Sequence, residues 1–149
     1  QFHRLLLGIS LALFYYGIID IGPGVYLYKE YMCYNRDCVL SIDTEQHKLS
    51  YAGAFKESFM VPFNTIKLIA VYISPNEFKG YMTYNSMERF SYARIELNTG
   101  EEFYITSLMI PKLKDFVQTY LYEVPVKFHS GWIFPSIRLS NYFRKKERP

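Results

Sequence analysis

The sequence predicts a mainly β domain with a hydrophobic helix before it and one capping helix near its C-terminal end. An uncharged run, Leu5–Ile19, lies between Arg4 and Asp20. Short segments of alternating apolar and polar residues follow, separated by turn residues, and aromatic residues make up 19% of the chain. Alternation and aromatic residues are both typical of strands with one buried face.

The composition indicates one globular domain with an appendage. The chain has 149 residues, of which 50% are hydrophobic and 21% charged, and a domain usually contains about 100–150 residues. The net charge of +3 is concentrated in segment 138–149, which holds five cations and one acidic residue. The rest of the chain is close to neutral, which argues against a nucleic-acid-binding fold.

The uncharged run predicts a helix that inserts into a membrane. Its fifteen residues rise roughly 22 Å, which is short of the ~30 Å hydrocarbon core. Phe14–Tyr16 lie near its end, where interfacial aromatic residues are common. Gly22-Pro23-Gly24 predicts the end of the helix, with Asp20 at the interface. Two alternatives stay open: a helix packed in a soluble core, and the remnant of a signal peptide, although no small-x-small cleavage site follows Ile19.

The body of the chain contains hairpin signals. Strands are predicted at Cys38–Asp43, Lys48–Ala52, Ser58–Phe63, Ile66–Ile73, Phe78–Asn85, Tyr92–Leu97 and Glu102–Thr106. Ile66–Ile73 is almost continuously apolar, so we expect it to be covered on both faces. Asn98-Thr99-Gly100-Glu101 supplies turn residues for the last hairpin.

An amphipathic helix is predicted at 111–121. Pro111 suits a first helical turn because its missing N–H would be unpaired there. The apolar residues of the segment recur at helical spacing and form one stripe: Leu113, Phe116, Val117, Tyr120 and Leu121. This stripe predicts a helix that closes the open end of a small sheet or barrel.

Two stretches resemble bacterial pleckstrin-homology-like domains of small membrane-anchored proteins. These stretches are Val61–Ile69 (VPFNTIKLI), which leads into a central strand, and Ile95–Ser107 (IELNTGEEFYITS), which precedes the capping helix. The resemblance covers roughly Cys38 to Leu121. It implies a bent antiparallel sheet of seven strands, or partly open barrel, capped by one helix. It also implies a binding or scaffolding role without catalysis.

The predicted organisation has three parts. Residues 1–28 form the hydrophobic helix and a linker, and residues 29–125 form the PH-like β domain with the capping helix 111–121. Residues 126–149 form an extension with a basic tail.

No residue pattern indicates an active site or a cofactor. His3, His47 and His129 lie outside any recognisable catalytic spacing. Cys33 and Cys38 lack the further donors that a zinc site needs. They are either free thiols or a local disulfide, depending on the compartment. We therefore predict a protein that is not an enzyme and binds no cofactor or metal.

The predicted membrane-surface residues lie in the extension. The first hairpin loop, 43–48, has two acidic residues and one lysine, whereas phosphate-binding PH-like loops are rich in Lys and Arg. The basic tail suits an anionic surface better, although it equally fits a solvated terminus. Trp132 would dock on the domain, the reading we favour, or lie at the bilayer interface. The candidates are Arg144, Lys145, Lys146, Arg148 and Trp132.

These observations predict a non-catalytic, membrane-anchored interaction or assembly module. Its partners would be the lipid bilayer and an unidentified protein or a second copy of the chain. The alternative is an accessory subunit of a membrane enzyme or of a transport or secretion complex. We expect the helix in the inner membrane of a bacterium and the β domain in the cytoplasm. Arg4 alone would favour the opposite side, unless a further helix precedes it.

Overall fold

The computed structural model describes residues 2–53, 56–131 and 134–147. The chain begins with one long helix in three consecutive parts: α1 (Phe2–Tyr16), a π-helical turn (Gly17–Ile21) and α2 (Gly22–Asn35). The helix end predicted at Gly22-Pro23-Gly24 is wrong. Pro23 lies in the first turn of α2, directly after the π-helical turn in which the Gly22 N–H bonds Gly17 O. The helix thus changes its hydrogen-bond pattern next to Pro23, which has no backbone N–H to donate.

Seven strands follow within the described residues: β1 (Val39–Asp43), β2 (Lys48–Gly53), β3 (Lys56–Pro62), β4 (Ile66–Tyr72), β5 (Tyr92–Leu97), β6 (Glu102–Thr106) and β7 (Val126–His129). Three further helices are α3 (Pro75–Lys79), α4 (Leu113–Tyr120) and α5 (Ile137–Glu147). Short 3₁₀ turns cover Phe63–Thr65 and Ser86–Arg89.

The strands form two sheets in the described part of the chain. The first has the order β1-β2-β3 and is antiparallel, and the second has the order β6-β5-β4-β7. Strand β7 pairs with β4 in parallel, so the second sheet is mixed. The predicted N-terminal helix, antiparallel hairpins and capping helix are present, but α4 begins at Leu113, so the placement of Pro111 in its first turn is wrong. The mainly β class is wrong, because 45% of the structure is helical and 28% is strand.

The strand predicted at Phe78–Asn85 is wrong. The chain forms α3 and then an irregular loop, because Ser74 caps the helix by accepting a hydrogen bond from the Glu77 N–H at 3.2 Å. Ser74-Pro75-Asn76-Glu77 has the spacing of a capping box with proline at the first helical position. Gly80 ends the helix at a φ of +73°, a left-handed conformation that favours glycine. Capping here overrides the alternation of aromatic and polar residues.

The first hydrophobic core lies between the two sheets and α4. Buried side chains come from both sheets, and Leu113, Val117 and Leu121 add the buried face of the capping segment. The apolar stripe is therefore only partly buried. Phe116 is half-buried against this core, and Tyr120 is exposed.

A second hydrophobic core covers the other face of the β4-β5-β6 sheet. Leu27 and Tyr31 of α2, Tyr92 of β5 and Ile137 of α5 are all fully buried there. Strand β4 therefore contacts apolar side chains on both faces, which confirms the expectation from its continuous apolar sequence. Leu27, Tyr31 and Tyr34 of the first helix belong to this packing. The domain division proposed at residue 28 stays a prediction, and the helix runs across it.

Candidate membrane-facing site

The N-terminal half of the long helix exposes apolar side chains on all sides. Leu7, Leu13 and Phe14 are 63%, 66% and 68% exposed, and every residue from His3 to Tyr16 is exposed. The helix His3–Asn35 is long and apolar enough to cross a membrane. A soluble amphipathic helix would instead expose a polar face.

The domain begins to contact the helix at Asp20. The N–H of Ser86 donates to Asp20 Oδ1 at 2.7 Å, and the Ser86 hydroxyl donates to the Asp20 carbonyl at 2.5 Å. One turn further, Gly24 has no room for a side chain, because a Cβ would lie 3.0 Å from Ser86 Cβ and closer still to its hydroxyl. The sequence predicted Asp20 at the membrane interface, close to the end of the helix; in the structure it lies within the continuing helix, against the 3₁₀ turn.

A buried carboxylate joins α2 to α5. The Glu30 side chain is 1% exposed. It accepts hydrogen bonds from the Arg138 N–H at 2.9 Å, the Ile137 N–H at 3.3 Å and the Ser136 hydroxyl at 3.1 Å. These donors lie at the N-terminus of α5, where backbone N–H groups have no partner within the helix and favour a negative charge. One helix thus supplies the cap of the other.

Two further side chains fix α2 to the domain. The Tyr31 hydroxyl donates to Pro135 O at 2.7 Å. Asn35 pairs with the backbone of β6: its amide donates to Tyr104 O at 3.2 Å and its oxygen accepts from the Thr106 N–H at 3.0 Å. The helix therefore leaves the domain as a continuous rod that is anchored over its last four turns.

Helix α5 docks on the second sheet through polar side chains. The Tyr92 hydroxyl contacts Ser140 Oγ at 2.5 Å, and the Tyr104 hydroxyl donates to Asn141 Oδ1 at 3.0 Å. Burial raises the pKa of Tyr104 to about 12, so its hydroxyl remains a donor at neutral pH. Arg144 makes a bidentate pair with Glu102, at 2.8 and 2.7 Å.

The predicted tail residues have different positions. Arg144 lies on α5 and its charge is paired with Glu102. Lys145 and Lys146 also lie on α5, but their side chains are outside the described residues. Trp132 and Arg148 fall outside the described residues altogether. The role of these five residues at a membrane surface stays a prediction.

A family model described as a PH domain matches residues 1–117. The chain belongs to the PH domain family. The match includes the long N-terminal helix, which extends the region on which the resemblance rested. No curated protein and no solved structure matches the chain. Domains of the PH type are generally non-catalytic, and membership suggests an interaction module.

The first hairpin loop of this PH domain is organised by its own side chains. Asp43 Oδ1 accepts hydrogen bonds from the Glu45 and Gln46 N–H groups at 3.0 and 2.9 Å. The single lysine of the loop, Lys48, donates to Gln46 Oε1 at 3.0 Å. His47 lies 2.9 Å from Glu123, at the start of the segment that leads to β7. The loop therefore presents one lysine beside acidic groups.

A groove opens between the edge strand β3 and the β5–β6 hairpin. It has a volume of about 680 Å³ and contains apolar side chains of both sheets, among them Phe59, Met60 and Phe103. Its titratable lining residues are Glu101 and Glu102, and Glu102 is paired with arginines. In residues 2–53, 56–131 and 134–147, no group of three or more His, Cys, Asp or Glu residues could hold a metal ion. Most of the residues that line the groove are apolar, and the groove runs along the edge of β3.

Both cysteines of the sequence are free thiols. Cys33 is exposed on α2, and Cys38 is half-buried before β1. The Tyr51 hydroxyl contacts Cys38 Sγ at 3.1 Å. Burial raises the pKa of Tyr51, and the contact with the Cys38 thiol raises it further. The sequence left two states open, free thiols and a local disulfide, and in the structure the two cysteines are free thiols.

Proposed function

We propose that this protein is a membrane-anchored, non-catalytic PH-domain interaction module. Residues 5–19 would insert in the bilayer and residues 20–35 would hold the domain at the surface. The observation that carries this proposal is the change along one helix. Residues 3–16 are exposed on every side, whereas the following turns bury Asp20, Gly24 and Leu27 against the domain.

The apolar segment is costly in water and favourable in lipid. An exposed stretch of this size exceeds the scattered apolar residues that soluble surfaces carry, and such patches mark membrane or protein contacts. The segment has no charged residue between Arg4 and Asp20. Its aromatic residues Phe14–Tyr16 lie beside the domain, where an interface is expected.

The inner membrane of a bacterium, with the domain in the cytoplasm, is the location we propose. Two free thiols favour a reducing compartment, since disulfides persist mainly in oxidising ones. Cations of the tail would favour the anionic cytoplasmic leaflet. The free thiols and the charge of the tail are independent properties of the chain, and both support a cytoplasmic domain.

The alternative is an accessory subunit of a membrane enzyme or of a transport or secretion complex. The groove beside β3 would hold a partner protein in this alternative as well as in the preferred function, because an edge strand offers unpaired backbone groups to an extended peptide. The partner in this reading is a β-strand segment with apolar side chains that fill the groove. A Met60→Glu variant should weaken its capture, since Met60 is 66% exposed at that edge.

Membrane fractionation with salt and alkaline washing tests the anchoring. The intact chain should stay in the pellet, because burial of apolar surface does not depend on salt. A Leu7→Lys/Leu11→Lys variant should move to the soluble fraction, since each lysine costs about 2.5–3.5 kcal/mol at a helix centre. Tyr122→Lys, on an exposed side chain of the domain, is the matched control and should not change the distribution.

A second variant distinguishes the contribution of the helix to membrane binding from that of the basic tail. Neutralising Lys145, Lys146 and Arg148 should leave the washed pellet unchanged, because charge attraction is screened over ~10 Å at 0.1 M salt. Arg144 is kept, since it pairs with Glu102. Release of the unsubstituted chain by salt alone would contradict the proposal.

A further inference from the structure

We propose that the 80–86 loop is a second membrane contact of this domain, which inserts its apolar side chains into the headgroup region of the leaflet beside the helix. This inference rests on the proposed function, because the helix defines where the leaflet would lie. Three side chains carry it: Tyr81, Met82 and Tyr84 are 62%, 82% and 83% exposed.

The loop lies at the level where the helix becomes fully exposed. Ser86, its last residue, is hydrogen-bonded to Asp20. A cavity of about 500 Å³ lies between Tyr16 and Asp20 of the helix on one side and Thr83, Tyr84 and Arg89 on the other. Tyr16 precedes Asp20 by one turn, so this side of the loop extends past the junction toward the apolar segment.

The backbone of the loop is held in place, while the side chains of Tyr81, Met82 and Tyr84 stay exposed. The buried Glu88 carboxylate accepts the Tyr84 N–H at 2.9 Å and the amides of Asn76 and Asn85 at 3.1 Å each. The Tyr81 N–H donates to Asn76 O at 2.8 Å. Because the backbone of the loop is already ordered, its exposed side chains can bind without a further loss of backbone conformational entropy.

The charges around the loop suit an anionic lipid surface. Lys79 and Arg89 are exposed on either side of it, and Lys79 Nζ lies 5.9 Å from the centre of the Tyr81 ring. The nearby carboxylates are turned inward: Asp20 and Glu88 accept the hydrogen bonds described above, and Glu77 is half-buried beside Ser91. Tyrosine and cations together are typical of the interfacial region of membrane proteins.

Tryptophan fluorescence with brominated lipids tests the contact in the full chain. Tyr84→Trp is compared with Phe14→Trp in the apolar helix and with Tyr122→Trp, which replaces a 71% exposed side chain of the domain. Tyr122 is next to Glu123, which pairs with the first hairpin at His47, at the other end of β4 from the 80–86 loop. The unsubstituted chain, whose single tryptophan is Trp132, supplies the baseline that is subtracted.

In vesicles that contain anionic brominated lipid, Tyr84→Trp should lose emission almost as strongly as Phe14→Trp. Tyr122→Trp should retain it. Quenching of Phe14→Trp but not of Tyr84→Trp would overturn the loop contact and leave the anchoring intact, whereas absence of quenching in both would overturn the anchoring as well. Met82→Trp gives the same reading if Tyr84→Trp loses the circular dichroism of the parent.

Discussion

A buried carboxylate of α2 adds a long-range cap to the C-terminal helix, beside the local cap from the Ser136 hydroxyl. Glu30 receives three donors from the first turn of α5, although more than one hundred residues separate them along the chain. The sequence gives little signal for this contact, because Glu30 lies between the predicted hydrophobic helix and the first predicted strand, where no element was predicted. Long-range caps of this kind depend on packing that spacing alone does not reveal.

Replacement of Glu30 by alanine should destabilise the fold by about 2–3 kcal/mol, because a helix cap is lost and buried N–H groups remain unpaired. Glu30→Gln should cost less, since an amide oxygen in the place of Oε1 can accept two of the three bonds. Urea unfolding of the detergent-solubilised protein measures both. Glu45→Ala, in the exposed hairpin loop, is the control and should change stability by less than about 0.5 kcal/mol; equal midpoints for all three variants would refute the cap.

Glu77 makes stability depend on pH. Burial raises the pKa of this carboxyl from 4.5 to about 7, with a smaller contribution of the same sign from Asp115, while the hydrogen bond from Ser91 acts in the opposite direction. One of its oxygens is buried without a hydrogen-bond partner. Since the pKa is raised on folding, the folded state favours the protonated form. The contribution of the Glu77 carboxyl to the stability of the folded state is fully present below about pH 4.5. It is lost as the pH rises to about 7.

A Glu77→Gln variant should therefore be more stable than the parent at pH 8, by about 1 kcal/mol once partial solvent exposure is allowed for. At pH 4.5 the two proteins should unfold at the same denaturant concentration. Paired unfolding curves at the two pH values test the sign. A larger difference at low pH than at high pH would contradict it.

At the scale of elements, the sequence predicted those units whose local signals agree. The β5–β6 hairpin has turn residues between two alternating segments, and α4 has apolar residues at helical spacing, and both elements are present. Phe78–Asn85 has strand-like alternation but directly follows the capping box Ser74–Glu77, and the cap determined the outcome. The N-terminal helix continues through Gly22-Pro23-Gly24 because Leu27 and Tyr31 gain a buried face on the second sheet. Tertiary packing of that kind outweighs local helix-stop signals.

This packing determines where the helix can be removed. Deletion of residues 1–16 removes side chains that are exposed to solvent, so the remaining domain should be soluble and keep its unfolding midpoint. Deletion of residues 1–28 also removes the Asp20–Ser86 bonds and Leu27, and should cost at least about 3 kcal/mol. Circular dichroism and urea unfolding of the two fragments compare them. Equal stability would show that the second core does not depend on residues 17–28.

At the scale of the whole molecule, the second sheet is enclosed by two cores. One core is shared with the first sheet, and the other with α2 and α5. The apolar rod and the β domain therefore form one body through the π-helical turn and the bonds around Asp20, Glu30 and Asn35. The orientation of the domain at a bilayer is then set by the helix, which also determines where the β3 groove faces.

The membrane-facing site was only half predictable. The apolar run and its neighbouring aromatics are evident in the sequence, because insertion needs only a local property of fifteen residues. The 80–86 loop was assigned to a strand, so its exposed Tyr84 and Met82 gave no signal. Its place beside Asp20 follows from a contact between residues far apart in the chain. The docking of α5 on the second sheet, where Arg144 pairs with Glu102, likewise joins residues far apart in the chain.

The proposed orientation makes Cys33 a reporter of sidedness. It is exposed on α2, whereas Cys38 is half-buried, so a membrane-impermeant maleimide should react mainly with Cys33. In intact spheroplasts the thiol should be protected, and in inverted inner-membrane vesicles it should be labelled, because the domain is proposed to face the cytoplasm. A Cys33→Ser variant is the control and should remain unlabelled in both, while labelling that persists would reveal access to Cys38. Labelling of Cys33 in intact spheroplasts would place the domain on the outer side and contradict the cytoplasmic orientation.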